Sequence, residues 1–212
     1  MRHRSPASLV LILSCAIWGW GQKQPTRNPQ LAVFVYDRAK VSRVTLEEAE
    51  RDAARVFARS VDIAWENCPP EATSPTCAHP PAGFHLTVRL IAHPLTLPDA
   101  ACGVAFLNDE GGAYADVFFD PVKRLRGDDA PMKLAAILGH VMAHEIGHLL
   151  LGSHSHSQSG IMQGQWHQDE LSRIFEGRLL FTAEQAAQIR THVAAWVKGV
   201  SSSPDMAEAW GP

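Results

Sequence analysis

The segment from about Met132 to Leu151 narrows the possible folds more than any other part of this 212-residue chain. Pro131 stands at its start and Gly152 just past its end, the proline-first, glycine-last asymmetry of an α-helix. Within it lies His144-Glu145-Ile146-Gly147-His148. Residues four apart share one helical face and stand about 6 Å apart along the axis. Both imidazoles can therefore reach a single metal ion, at about 2.0–2.1 Å for zinc. Glu145 neighbours the first histidine and can reach a water on the metal rather than the metal itself.

That trio predicts a hydrolytic centre. Zinc lowers the pKa of its water towards about 7, and a carboxylate takes the proton as the water attacks a polarised carbonyl. Glu145, as general base, then returns the proton to a leaving amine, so the reaction expected is peptide hydrolysis without a covalent intermediate. His140, one turn earlier on the same face, is expected to pack or to support the ligands rather than to bind metal.

The remaining elements follow from periodicity. Residues 31–36 read as a buried strand. Thr45 and Glu48 have capping-box spacing and apolar residues recur at helical intervals after them, so a helix is expected from Thr45 through Trp65. Strands are expected at 84–91, 104–107 and 114–119, the last two joined by the turn-forming residues 108–112. Thr182 with Gln185 caps a final helix running to about Lys198. Strand, helix, strand, hairpin, helix, helix predicts an α/β (α+β) fold, one mixed sheet with long helices packed on it.

Composition restricts partners and place. A 46% apolar fraction suits one domain with its own core. The formal net charge is −3 with Lys and Arg scattered, which speaks against nucleic acid as a partner. Arg2 and Arg4 precede a short apolar run at 9–18, and Gly19 and Gly21 suit a cleavage site. Residues 1–21 are thus expected to be an export signal, 22–200 the folded domain and 201–212 a frayed tail. The apolar run is shorter than the roughly 20 residues of a bilayer span and no later run is longer, so no stable membrane span is expected. The expected location is secreted or periplasmic. Cys15 sits in a loose lipidation box, but the apolar run continues past it, which disfavours a lipoprotein. Cys68 and Cys77 flank a proline-rich loop and can pair, leaving Cys102 odd; the alternative bonds Cys102 to one of them.

From His144 to Met162 the chain resembles the metzincin clan of zinc peptidases, especially matrixin-like members, whose motif H-E-x-x-H-x-x-G-x-x-H precedes a methionine turn. It is also similar to uncharacterised secreted bacterial proteins that keep a histidine corresponding to His156. The resemblance implies a zincin-type mixed sheet, a third histidine ligand to Zn2+, and Met162 as an apolar floor beneath the site. It also implies a peptide or protein substrate laid along the strand at 112–119 as the sheet edge. Leu151 stands where the clan has glycine, and Gly152 comes one residue later. His154 keeps the clan's spacing from His148, whereas a helix lengthened to the displaced glycine favours His156; His156 is preferred. The gluzincin solution would take Glu170 from a later helix, but the histidine-rich turn and Met162 argue against it. Trp166 is expected to line a specificity pocket or to pack on the last helix. The rival function is a catalytically silent zincin-fold protein that holds metal, its site closed by His154 and His156 together.

Overall fold

A computed structural model describes residues 28–70, 74–80, 85–94, 97–98, 100–108, 111–126, 131–154 and 156–201. The expected export signal at 1–21, with Cys15, lies outside these residues, as do the tail beyond Ser201, Phe84 and residues 109–110 of the expected hairpin turn.

The β-forming run near the start becomes β1 (Gln30–Asp37), which buries Leu31, Val33 and Val35 in the main core and Phe34 in a smaller cluster. Asp37 then turns the chain, its carboxylate accepting from the amides of Ala39 at 2.9 Å and Val41 at 2.8 Å. Ser42 caps α1 (Arg43–Phe57) by accepting from the Thr45 amide, so the cap lies at Ser42 and not at Thr45.

The helix also ends well before Trp65. It stops at Phe57, whose carbonyl accepts from Ser60 and Val61, and the expected last turns are instead β2 (Asp62–Cys68). Ile63, Ala64 and Trp65 fit either period. The deciding factor is the parallel edge of β1, where Leu31 pairs with Ile63 and Val33 with Trp65, giving the backbone of both strands its partners. The single-turn α2 (Pro75–Ala78) carries Cys77 to Cys68, with which it forms a disulfide, and Tyr36 Oη donates to the Cys77 carbonyl at 2.7 Å. Cys102 is a free thiol.

With β3 (His85–Ile91), β4 (Gly103–Asn108) and β5 (Gly111–Phe118) the sheet runs β2-β1-β3-β5-β4. Only β4 is antiparallel to its neighbour. The mixed α/β architecture expected from the order of elements is the one observed. One detail differs: β5 is flanked by β3 and β4, so the edge on that side of the sheet is β4 and not the strand at 112–119. The chain passes from β3 to β4 first, and the hairpin then returns β5 into the place between them, parallel to β3.

Helix α3 (Phe119–Arg126) follows β5 directly; its start, Asp120-Pro121, is a helix-initiating pair that periodicity alone passes over. Then come α4 (Pro131–Leu151), α5 (Gln168–Phe175) and α6 (Ala183–Ser201). Thr182 and Gln185 exchange side chain for amide at the start of α6, at 3.0 and 3.2 Å. α4 is the core element, with every residue from 137 to 150 buried. Leu134–Leu151 is long and apolar enough to cross a membrane, against the expectation that no later run outdoes the N-terminal one. Yet 83% of it is buried inside the fold, so its apolarity serves the core.

Candidate metal centre

His144, Glu145 and His148 stand in the C-terminal half of α4, each 8% exposed or less. Burying three such groups is costly unless each has a partner or a task. His144 Nδ1 lies 2.8 Å from the Ile161 carbonyl and His148 Nδ1 lies 2.7 Å from the Ser153 carbonyl. A carbonyl only accepts, so each Nδ1 carries the proton and each Nε2 a lone pair. The two Nε2 atoms are 3.1 Å apart.

Two neutral rings cannot hydrogen-bond in that arrangement. Protonating one of them is disfavoured, since burial pushes both pKa values down, that of His144 to about 4. A cation between the lone pairs removes the conflict. Two nitrogens about 2.0–2.1 Å from one tetrahedral zinc ion stand about 3.3 Å apart, close to the spacing found.

The turn after α4 supplies the third nitrogen. Gly152, at φ 66°, ends the helix, and the amides of Gly152 and Ser153 both donate to the His148 carbonyl. The returning chain then brings in His156, and the ligand atoms of His144, His148 and His156 lie within 4.8 Å of one another. The His156 ring rests on the backbone of Gly164, where a Cβ would stand 2.7 Å from its Nδ1. His154 is exposed, its ring 6.5 Å from that of His148, and it is not part of the group. The closed four-histidine arrangement is therefore not the one this geometry presents.

Other sequence candidates fall into place around this group. Met162 is buried under α4, its Sδ 2.7 Å from where a Cβ on Gly147 would be. The residue before it ties two elements together: the Ile161 amide donates to Leu180, while its carbonyl holds His144. Glu170 accepts from the His167 amide at 2.9 Å, capping α5 rather than joining the histidines. His140 bonds the Ala136 carbonyl of its own helix and borders a separate cavity with Asp52 and Arg55.

Glu145 lines a cavity of about 450 Å³ together with His144 and His156. Among the described residues no hydrogen bond or ion pair reaches its carboxylate, and burial pushes its pKa up to about 8. Leu125, Val141 and Trp166 give this cavity an apolar wall, with the Trp166 ring edge-on to His144 at 5.7 Å. Trp166 thus borders the cavity and also packs against the main core. Cys102, Gly103 and Gly164 also border the cavity, and nothing in their local sequence announces it.

No family model matches the chain, and no curated protein matches it. Solved structures do. The chain is similar to a zinc-dependent peptidase from Methanocorpusculum labreanum at 17% identity and a TM-score of 0.52, covering 74% of this chain and 99% of that one. It is also similar to an archaemetzincin from Methanopyrus kandleri at 14% identity and a TM-score of 0.49, covering 78% and 96%. The first of these likenesses establishes a shared fold across nearly the whole of the shorter chain.

Proposed function

We propose that this chain is a zinc-dependent peptidase with a metzincin-type centre, in which His144, His148 and His156 hold the metal and Glu145 is the general base. The observation that carries this reading is the facing pair of Nε2 lone pairs on His144 and His148 beside a buried carboxylate that has no partner among the described residues. A structural metal centre has no use for such a carboxylate and fills all its positions with protein ligands, whereas this group borders a cavity of about 450 Å³. The solved structure that shares the fold is described as a zinc-dependent peptidase, which supports the same conclusion.

When bound, zinc supplies a Lewis acid that polarises a carbonyl oxygen and makes water a stronger acid. The chain's own groups do the rest. The carbonyls of Ile161 and Ser153 keep both rings in the Nδ1–H tautomer, so that each Nε2 presents its lone pair. Glu145, in its carboxylate form, takes a proton from water and passes it to the amine nitrogen of the leaving group; burial raises its pKa to about 8, which makes the carboxylate a stronger base for that step. The edge strand β4 enters the cavity wall at Gly103 and offers main-chain groups to an extended peptide.

Export belongs to the same reading. The positively charged start and apolar run at 9–18 favour it, and the Cys68–Cys77 disulfide suits an oxidising compartment.

The test is metal analysis combined with cleavage of a mixed peptide library, on the purified protein and its Glu145→Ala variant. Both are expected to hold one zinc ion per chain, with cleavage reduced about 10²- to 10⁴-fold in the variant. Zinc in both without cleavage by either would favour a silent metal-holding protein, and absence of zinc from both would sink the metal centre.

A further inference from the structure

A buried carboxylate is usually fixed by hydrogen bonds, but Glu145 has none among the described residues. Main chain bounds it instead. Gly103, the first residue of β4, approaches so closely that a Cβ there would stand 2.6 Å from Glu145 Cγ, 2.6 Å from Oε1 and 2.7 Å from Cδ. Any residue other than glycine must displace either the strand or the carboxylate. The strand is pinned: Gly103 pairs with Val117 in the antiparallel ladder, and the Phe118 amide donates to the Cys102 carbonyl at 2.8 Å. The helix is held on every side by the core. The soft member is the Glu145 side chain, which turns about its own torsions at lower cost than either backbone moves.

We propose that Gly103 is a positioning residue for the reaction, its bare Cα forming the wall that sets where the Glu145 carboxylate stands relative to His144 and His148. The consequence for turnover rests on the peptidase reading; the contact itself does not. Gly103, Glu145 and His144 border one cavity, so a carboxylate pushed off β4 moves within the reaction space. Proton transfer needs hydrogen-bond reach, about 2.6–3.2 Å between heavy atoms. Even the single methyl of alanine exceeds the room that exists.

A double-mutant cycle with Gly103→Ala, Glu145→Ala and both together separates contact from consequence. Three quantities are read on purified protein: bound zinc, the urea unfolding midpoint with zinc removed, and the kinetic constants for peptide cleavage with zinc present. Gly103→Ala is expected to keep its zinc, to lower the midpoint, and to lower kcat at least about tenfold with KM within about twofold, since misplacement by about 1 Å can cost 10²-fold. In the Glu145→Ala background the same change should leave the midpoint where it was, because the atoms it strikes are gone. A Gly103→Ala chain that folds only in that background gives the same answer. Equal midpoint losses in both backgrounds, unaltered kcat, or loss of zinc would each overturn the proposal. If the parent protein cleaves no peptide, the peptidase reading fails while the midpoints still decide the contact.

Discussion

His144 and His148 face each other through their Nε2 atoms at 3.1 Å, and each has committed its Nδ1–H to a carbonyl that lies beyond the helix, Ile161 for one and Ser153 for the other. The pairing therefore depends on three stretches of chain: α4 itself, the turn that ends it, and the loop that passes beneath it. Fixing the tautomer of a ligand from a second layer is how proteins tune metal affinity, typically by about 10–100-fold per partner. Here that layer is main chain, which a side-chain substitution cannot delete but can displace.

The ligand set makes the first prediction. His144→Ala, His148→Ala and His156→Ala should each weaken zinc binding by more than the about 100-fold that marks an outer partner. His154→Ala should bind zinc as the parent does, because its ring stands apart from the group. Titration against a chromogenic chelator measures all four. Release of metal by His154→Ala but not by His156→Ala would reverse the two roles.

A second prediction concerns a residue that touches no metal. A Cβ at Gly164 would stand 2.7 Å from His156 Nδ1 and 2.9 Å from its Cγ. The ring is exposed and free to swing, so Gly164→Ala should weaken zinc about 10–100-fold, as loss of an orienting partner does. Its effect on unfolding of the zinc-free protein should stay within about 0.5 kcal/mol, as for other surface changes. Affinity equal to that of the parent would mean that the ring needs no such support.

Met162 is 1% exposed and fills the space under Gly147. Met162→Ala should destabilise by about 2–5 kcal/mol in urea unfolding, through lost burial and the void left behind. Met162→Leu keeps most of the volume and should cost less than about 1.5 kcal/mol. The alanine variant should also bind zinc less tightly, since the neighbouring Ile161 carbonyl orients His144. A small loss of stability on Met162→Ala would show that the loop collapses to fill the space.

The parts of this design that are legible in the sequence are those whose signals are local. Pro131 and Gly152 bracket α4, and Thr182 with Gln185 opens α6, because caps and end residues act within one turn. The segment at 61–68 misleads because its apolar residues satisfy both a helical and an extended spacing, and the edge of β1 settles the matter from thirty residues away. The true edge strand is likewise a property of the whole sheet order, which no window of residues contains. The glycines at 103 and 164 are silent for a related reason: each matters through the side chain it admits, and that partner is fixed only by tertiary packing.

The last prediction is the pH dependence of the zinc-free protein. Burial holds His140 and His144 down to about 4, below the ordinary value near 6.5 that both regain on unfolding. As pH falls, the unfolded chain takes up these two protons first. Their contribution to stability is thus complete above about pH 6.5 and is lost towards pH 4, by at most about 3 kcal/mol per ring. Glu145 acts in the opposite sense: its folded pKa of about 8 lies above its unfolded value near 4.5, so its contribution is complete below pH 4.5 and lost as pH rises through 8. Between pH 8 and 6.5 the carboxyl dominates and stability rises as pH falls, whereas below 6.5 these two imidazoles, with His148 shifted in the same direction, outweigh one carboxyl. The urea midpoint of the zinc-free protein should therefore pass through a maximum near pH 6.5. His140→Phe should flatten the acid limb while leaving zinc binding intact, because His140 faces a separate cavity from the three clustered histidines. A midpoint that climbs steadily down to pH 4 would mean that the buried rings are already protonated in the folded chain, and the lone-pair conflict between His144 and His148 would not exist.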